Sequence, residues 1–350
     1  MTDTLVQNLL SEKSGDGFKV LFTSRSPITQ LIGNLQNFEI ETEWLPLTGE
    51  SNTINEGFTY PILKSAFEYA VESQADLLIA VDPDLNLFAV GVRKFVNSSF
   101  VLLNIHQLTL LLTKLLLENH AGMELHRSLL IAEVAEKLFT YENLPIKTYA
   151  ELKSPLETSS SLLAIPDGAL IVSENQELLL KGHRNSLEYL LGSLILESKK
   201  LKARSLTLFE TMVQIYQSHG YQREKLFSVS LEGHGQKQFY KKIFEKLRKK
   251  PPGSLGMYEL VSIEDLHNGT IKNLLSGRII PSDSPYASAI QIQLSNQVRF
   301  LMYPQDKKVY FLFISTGKEV SIEEFGRINQ QYDRQVLKLI HEINRLGLSS

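Results

Sequence analysis

The stretch Asp76–Val92 reads DLLIAVDPDLNLFAVGV, and it decides the predicted fold. An apolar run from Leu77 to Val81 stops at Asp82-Pro83-Asp84, and a second apolar run follows from Phe88 to Val92. Proline cannot donate a hydrogen bond to a β-ladder, and aspartate side chains cap turns. The stretch therefore predicts a strand, a tight loop and a second strand.

The segments on both sides alternate between predicted strands and predicted helices. Apolar and aromatic runs indicate the strands, and apolar residues at helical spacing indicate the helices. Such alternation is typical of a mixed α/β unit with a mostly parallel sheet. The predicted elements are strands at Phe18–Thr23 and Ile40–Leu45 and helices at Ile28–Leu35, Ile62–Ser73 and Gln107–Glu118.

The composition excludes several classes of protein. The chain has 350 residues, of which 43% are hydrophobic and 21% charged, so it can form two or three domains with cores of their own. It has no cysteine, which excludes disulfides and thiolate catalysis. A net charge of −3 provides no field that would attract nucleic acid or an anionic membrane.

Neither a secretion signal nor a membrane span is predicted. The first residues have no positive region and no apolar block. The most apolar stretch, Leu102–Leu117, is interrupted by polar residues and is shorter than the roughly 20 residues that a span needs. We expect a buried helix in that stretch and a cytoplasmic protein.

The loop after Val81 contains three alternating oxygen donors, Asp82, Asp84 and Asn86. Their side-chain oxygens could converge on a hard cation such as Mg²⁺. The alternative is a polar turn in which the aspartates accept hydrogen bonds from backbone amides.

The last third of the chain predicts an α+β unit. Strands are expected near Ala289–Leu294, Gln297–Tyr303 and Lys308–Ile314, followed by a helix over Ser321–Arg345 that begins with the spacing of a capping box. The preceding segment, Lys241–Pro252, predicts an amphipathic helix ended by two prolines. Its lysines suggest either a solvated face or a site for nucleic acid or an acidic partner, and the lack of interleaved aromatic residues favours the solvated face.

Three segments resemble the α-D-phosphohexomutases, the family of phosphoglucomutase and phosphomannomutase. The segment DPDLNL resembles their magnesium-binding loop, Asp-Pro-Asp-Ala-Asp-Arg, with Asn86 and Leu87 in place of the third Asp and the Arg. TMVQIYQSHGY, Thr211–Tyr221, is similar to the family pattern Leu-x-x-Ile-Tyr-x-x-x-Gly-Tyr. NIHQLTLLLTKLLL is similar to the helix that follows a turn bearing Asn and Gln, here Asn104 and Gln107.

The resemblance implies an α/β protein with phosphoglucomutase-like domains two to four, the last of them α+β. Residues 1–16 would form an N-terminal helix or extension, 17–122 a domain II-like unit, 123–252 a domain III-like unit and 253–350 a domain IV-like unit. Because the match begins near residue 1, we expect the family's first domain, with its phosphorylated serine, to be absent.

The resemblance also implies positions for the site. KGHRNSLEYLLGSLIL, Lys181–Leu196, is similar to the sugar-recognition loop and helix, but two sugar-binding glutamates are replaced by Arg184 and Asn185. The phosphate loop, Arg-Pro-Ser-Gly-Thr-Glu-Pro-Lys in the family, corresponds to Tyr303–Lys308 and keeps one lysine. The implied substrate-binding positions are Gly182, Arg184, Asn185, Ser186 and Lys308, the implied metal positions are Asp82, Asp84 and Asn86, and no residue is assigned a catalytic role.

The altered loops predict how the site has changed. We expect Arg184 to pair with Asp84 and neutralise the cleft, so that no cofactor is bound. The alternative is a weak magnesium site that uses Asp82, Asp84 and backbone carbonyls.

The expected function is that of a phosphoglucomutase-like protein without mutase activity. It would bind a protein partner, or itself, over the face that a first domain would cover, and regulate sugar-phosphate metabolism without binding nucleic acid or membrane. The alternatives that stay open are a mutase-type isomerase completed by a first domain in trans, an enzyme with different chemistry at the altered cleft, a sugar-phosphate-binding protein, and a decayed or artificially bounded fragment.

Overall fold

The chain forms two compact units in a computed structural model, which describes residues 17–35, 38–47, 58–82, 87–119, 124–126, 138, 146–147, 161–165, 168–172, 178–182, 184–282, 289–305, 307–317 and 320–348. The first unit comprises Met1–His126, Ala135–Ile146 and Ser160–Ile215, and the second comprises Arg127–Val134, Lys147–Ser159 and Tyr216–Ser350. The predicted extension at residues 1–16 lies outside the described residues. The predicted three-domain division, with boundaries after residues 122 and 252, stays a prediction.

The first sheet contains the strands on which the fold prediction rests. Its strands are β1 (Lys19–Ser24), β2 (Glu41–Pro46), β3 (Leu77–Val81), β4 (Phe88–Arg93) and β5 (Phe100–Leu102). Their order is β2-β1-β3-β4-β5. The strand–loop–strand prediction is confirmed, because β3 and β4 pair with Val81 opposite Phe88.

The prediction of a mostly parallel sheet is wrong for this sheet. β1 pairs in parallel with β2 and β3, but β3–β4 and β4–β5 are antiparallel. The physical reason is the connection. A short loop can join only antiparallel neighbours, whereas parallel neighbours need a crossover. The sheet is therefore mixed, which agrees with the predicted mixed α/β class.

Helices cover the strands of the first unit. They are α1 (Thr29–Leu35), α2 (Tyr60–Glu72), α3 (Ile105–Asn119) and α4 (Arg184–Ala203), followed by α5 (Leu208–His219). In α2, Leu63, Ala66, Phe67 and Ala70 recur at helical spacing and are all buried. They pack with Leu21, Leu78 and Phe100 of the sheet into one hydrophobic cluster.

A second sheet follows in the chain. Its strands are β6 (Glu124–His126), β7 (Ile146–Lys147), β8 (Ser161–Ile165), β9 (Gly168–Val172) and β10 (Leu178–Gly182). Their order is β10-β9-β8-β6-β7. β8, β9 and β10 form an antiparallel meander, and α4 begins two residues after β10 ends.

The third sheet forms the framework of the second unit. Its strands are β11 (Tyr221–Ser230), β12 (Ser254–Leu255), β13 (Tyr258–Asp265), β14 (Thr270–Asn273), β15 (Ile279–Pro281), β16 (Ile290–Leu294), β17 (Val298–Gln305) and β18 (Lys308–Gly317). The order is β11-β18-β17-β16-β13-β14-β15, with β12 paired to β13. Helices α6 (Gln236–Lys249) and α7 (Phe325–Leu348) bury their apolar faces in the main core of this unit.

The predicted closing helix begins later than the sequence suggests. Ser321 Oγ accepts a hydrogen bond from the Glu324 amide at 3.2 Å, but α7 starts at Phe325. Ser321 therefore caps the turn that precedes the helix, and the Glu324 carboxylate pairs with Arg327 instead of reaching back.

Candidate functional site

The loop between β3 and β4 is closed by Asp82. The Asp82 amide donates to the Leu87 carbonyl at 3.0 Å, and the Leu87 amide donates to Asp82 Oδ1 at 2.8 Å. Asp84 and Asn86, the other two predicted metal positions, lie outside the described residues. One carboxylate oxygen of Asp82 thus accepts a hydrogen bond from a backbone amide, as the polar-turn alternative predicts.

The segment that corresponds to the sugar loop joins β10 to α4. β10 ends at Gly182, which pairs with Gly168, and α4 begins at Arg184. Arg184, Asn185 and Ser186 therefore occupy the first turn of α4, and their side chains lie outside the described residues. The predicted Arg184–Asp84 pair stays a prediction, although β10 lies beside β4 in the first unit.

Two further positions of this segment have structural roles. Glu188 accepts a hydrogen bond from Asn34 Nδ2 at 2.6 Å. A Cβ atom at Gly192 would lie 2.9 Å from the Phe38 ring, so the close approach of that ring requires glycine. Both contacts hold α4 in place rather than present groups to a ligand.

Asn104 and Gln107 form a reciprocal cap at the start of α3. The Gln107 amide donates to Asn104 Oδ1, and the Asn104 amide donates to Gln107 Oε1, both at 2.9 Å. Two amides that the helix itself leaves unpaired are satisfied in this way. The resemblance to the family predicts Asn104 and Gln107 at this turn, and the structure shows that they cap α3.

The segment that corresponds to the phosphate loop is a tight hairpin turn between β17 and β18. Gln305 pairs with Lys308, so only Asp306 and Lys307 separate the strands, and Asp306 lies outside the described residues. Lys308 is exposed and faces Ser230 across the sheet. Lys308 therefore lies at the end of this turn, and its substrate-binding role stays a prediction.

The sequence analysis did not predict an ion pair of Lys307 at this turn. Its ammonium group lies 2.7 Å from Glu232 Oε1, and its carbonyl accepts a hydrogen bond from the Leu231 amide. The hydrogen bond to Lys307 lowers the pKa of Glu232, and the same bond raises the pKa of Lys307. Only the register of β11 against β18 reveals this pair, because the two residues are far apart in sequence.

A small cavity in the first unit has charged walls that the sequence did not single out. Its volume is about 30 Å³, and Asp76, Arg93 and Lys202 line it. Lys202 Nζ lies 2.8 Å from Asp76 Oδ2, and Arg93 Nε donates to the Ala75 carbonyl. Burial lowers the pKa of Arg93, with a partly opposing effect of Asp76. The space suits about one water molecule, not a sugar phosphate.

Metal-binding clusters and membrane-spanning helices are both absent from the described residues. Within those residues, no group of three or more His, Asp or Glu side chains is placed to hold a metal ion. None of the described helices is both long enough and apolar enough to cross a membrane.

Sequence comparison finds relatives among bacterial phosphoglucomutases. No model of a known protein family matches the chain. The chain is 22% identical over 322 residues to a phosphoglucomutase of Staphylococcus saprophyticus, and the match covers 87% of the chain and 56% of the relative. It is 24% identical over 311 residues to a phosphoglucomutase of Staphylococcus aureus strain USA300, with 82% and 54% covered. The chain therefore spans about half the length of these relatives.

Comparison with solved structures finds the same fold. The open form of the Paramecium phosphoglucomutase parafusin (pp63) superposes with a TM-score of 0.56 at 10% identity, covering 99% of this chain and 60% of that one. A putative phosphomannomutase from Thermus thermophilus superposes with a TM-score of 0.51 at 12% identity, covering 96% and 64%. The resemblance read from the loops is thus confirmed in sequence and in fold.

Proposed function

We propose that this relative of the phosphoglucomutases and phosphomannomutases has no mutase activity of its own and acts in the cytoplasm by binding a protein of sugar-phosphate metabolism. Phosphoryl transfer depends on positioning and on the stabilisation of charge by several groups at once. A chain in which several of these groups are altered would lose turnover while its framework is retained.

The observation that carries this proposal is the two-residue turn between β17 and β18. A phosphate dianion needs several convergent donors, such as arginine, hydroxyl groups and free backbone amides. Here the turn is closed by the Gln305–Lys308 pairing, and the ammonium group of Lys307 already lies beside the Glu232 carboxylate. This arrangement supports the loss of substrate-phosphate binding.

A binding titration tests this step. We expect glucose 1-phosphate to give no measurable heat when titrated into the full chain. Saturable binding that disappears in the double variant Lys307→Gln/Lys308→Gln, but persists in a Lys64→Gln/Lys94→Gln control, would contradict the proposal.

The partner is tested by co-purification with mass spectrometry from the cells that make the protein. We expect a stoichiometric protein partner that remains bound through washes with salt. Recovery of the chain alone, as a monomer, would count against a protein-binding role.

A second candidate follows from the length of the match. The alignments leave almost half of each relative uncovered. A phosphoserine-bearing domain, supplied from elsewhere in the same protein or by another chain, would restore the nucleophile and yield a mutase-type isomerase with a weak magnesium site. Turnover that appears only after such a domain is added would favour this candidate.

A further inference from the structure

The outer face of α6 is strongly basic. Residues 236–250 contain six lysines and one arginine against a single glutamate, in a chain whose net charge is −3. The rest of the chain is therefore acidic. The apolar residues of α6 are buried in the core of the second unit, so the lysines form the opposite, solvent-facing side.

Four of these lysines make no ion pair within the part of the chain that the structure describes. Glu245 lies 3.9 Å from Lys249, and Arg248 contacts Asp265 at 3.2 Å. The exposed lysines without such a partner, here called the α6 lysine face, are Lys237, Lys241, Lys242 and Lys250.

The lysines at the start and in the middle of α6 do not stabilise the helix, whereas the helix dipole favours the cations of its last turn and Lys250 at its C-cap. Lys237 lies in the first turn, which contains no acidic residue, although cations are disfavoured at the positive end of a helix dipole. Lysines also recur four residues apart, as in Lys237–Lys241 and Lys242–Lys246, and like charges at that spacing repel. An external anion would relieve this repulsion.

The size and composition of the face select the kind of anion. A large polyanion such as duplex DNA or an anionic bilayer would also be repelled by the net negative charge of the rest of the chain. A short acidic segment interacts mainly with the charges within about 8 Å of it. α6 has no exposed apolar face for lipid, since Tyr240, Ile243, Phe244 and Leu247 are buried and Phe239 packs against the same core.

We propose that the α6 lysine face docks a short acidic segment of a partner protein, one rich in Asp and Glu. The helix is about 21 Å long at about 1.5 Å per residue, so an extended segment of about seven residues spans it. This proposal rests on the protein-binding role proposed above and assigns that role a surface.

The test is fluorescence anisotropy with the full chain and a labelled oligoglutamate of about ten residues. The variant Lys237→Gln/Lys241→Gln/Lys242→Gln is compared with a control that removes three exposed cations elsewhere, Lys64→Gln/Arg204→Gln/Arg278→Gln. We expect the face variant to bind about tenfold more weakly, the control to bind as the wild type does, and an oligoglutamine peptide not to bind.

Each other outcome overturns the proposal. No binding of oligoglutamate to the wild type, or equal weakening in both variants, would show that the face is not a docking site. Tighter binding of a DNA duplex or of phosphatidylserine vesicles at the same salt concentration would assign the face to another class of partner. Self-association of the wild type that the face variant abolishes would assign it to a second copy of the chain.

The two proposals fail in different ways. If oligoglutamate binds but no protein co-purifies, the α6 lysine face binds an acidic peptide, and the protein-binding function is contradicted. A co-purified partner that is retained by the face variant would support that function and contradict the assignment of this surface. Thermal unfolding of both variants checks that they fold, and the lost repulsion predicts that the face variant is no less stable than the control.

Discussion

At the level of one residue, Asp82 has a structural role in the loop between β3 and β4, whether or not the loop binds a metal ion. Its carboxylate oxygen Oδ1 accepts the Leu87 amide, and its own amide pairs with the Leu87 carbonyl. Leu87 corresponds to the arginine of the family's magnesium-binding loop. The Asp82–Leu87 pair therefore closes the loop at a position where the family has a charged side chain.

Replacement of Asp82 by Ala tests this structural role. We expect the free energy of unfolding to fall by about 1 kcal/mol, because the Leu87 amide loses its side-chain acceptor. Urea unfolding of Asp82→Ala and of the wild type measures the difference. An unchanged midpoint in Asp82→Ala would contradict the assignment.

Magnesium distinguishes the two predictions for this loop. If Arg184 neutralises Asp84, titration with millimolar Mg²⁺ releases no heat, because no demand for a cation remains. If heat is released in the wild type and vanishes in Asp84→Ala, a metal site is present and the neutralised cleft is wrong. Isothermal titration calorimetry decides between them.

At the level of elements, runs of apolar residues located strands well, but they did not give strand direction. β1, β3, β4 and the hairpin of β17 and β18 lie within three residues of their predicted bounds, because each contains a run of mostly apolar residues. The antiparallel half of the first sheet follows from loop lengths rather than from composition. β14 and β15 were missed, since their residues are half-buried or exposed and show no apolar run.

The candidate site was predictable only in part, for a similar reason. Positions such as Lys308 and Gly182 follow from the order of motifs along the chain. The partners that define their chemistry do not, because contacts such as Lys307–Glu232 join residues that only the sheet register brings together.

The reciprocal cap of α3 is an element whose contribution can be measured. Asn104→Ala should lower the free energy of unfolding by about 1 kcal/mol, since the Gln107 amide loses its acceptor. The double variant Asn104→Ala/Gln107→Ala should cost less than the sum of the single changes, because they share one pair of bonds. Strict additivity in denaturant unfolding would contradict the cap.

The contact between α5 and β11 predicts a loss of stability at alkaline pH. Burial raises the pKa of Tyr216 and of Tyr221, so above the ordinary tyrosine pKa of about 10 the unfolded chain releases protons that the folded chain keeps. The stabilising effect is complete below that pH and is lost as the pH rises, by up to about 1.4 kcal/mol per pH unit for each tyrosine.

Tyr216→Phe is the variant that checks this pH effect. Its free energy of unfolding should fall less steeply than that of the wild type above pH ~10. Tyr60→Phe, at an exposed position, should follow the wild type. Identical slopes for all three proteins in urea unfolding would refute the prediction.

At the level of the whole molecule, the framework is retained while the segments that would handle substrate are altered. The fold superposes on phosphohexomutase structures at identities of 10–12%. Three loops differ from the family motifs for metal, sugar and phosphate binding that they resemble: at Asn86 and Leu87, at Arg184 and Asn185, and in the segment Tyr303–Lys308.

The loss of mutase activity is the central claim, and a coupled mutase assay measures it most directly. The purified full chain is incubated with glucose 1-phosphate or mannose 1-phosphate, magnesium and a hexose bisphosphate activator, with one of the related Staphylococcus phosphoglucomutases as positive control. We predict a rate equal to that of the blank for this chain. Turnover above the blank, retained after a further purification step and lost in a variant of the β17–β18 turn, would contradict the account.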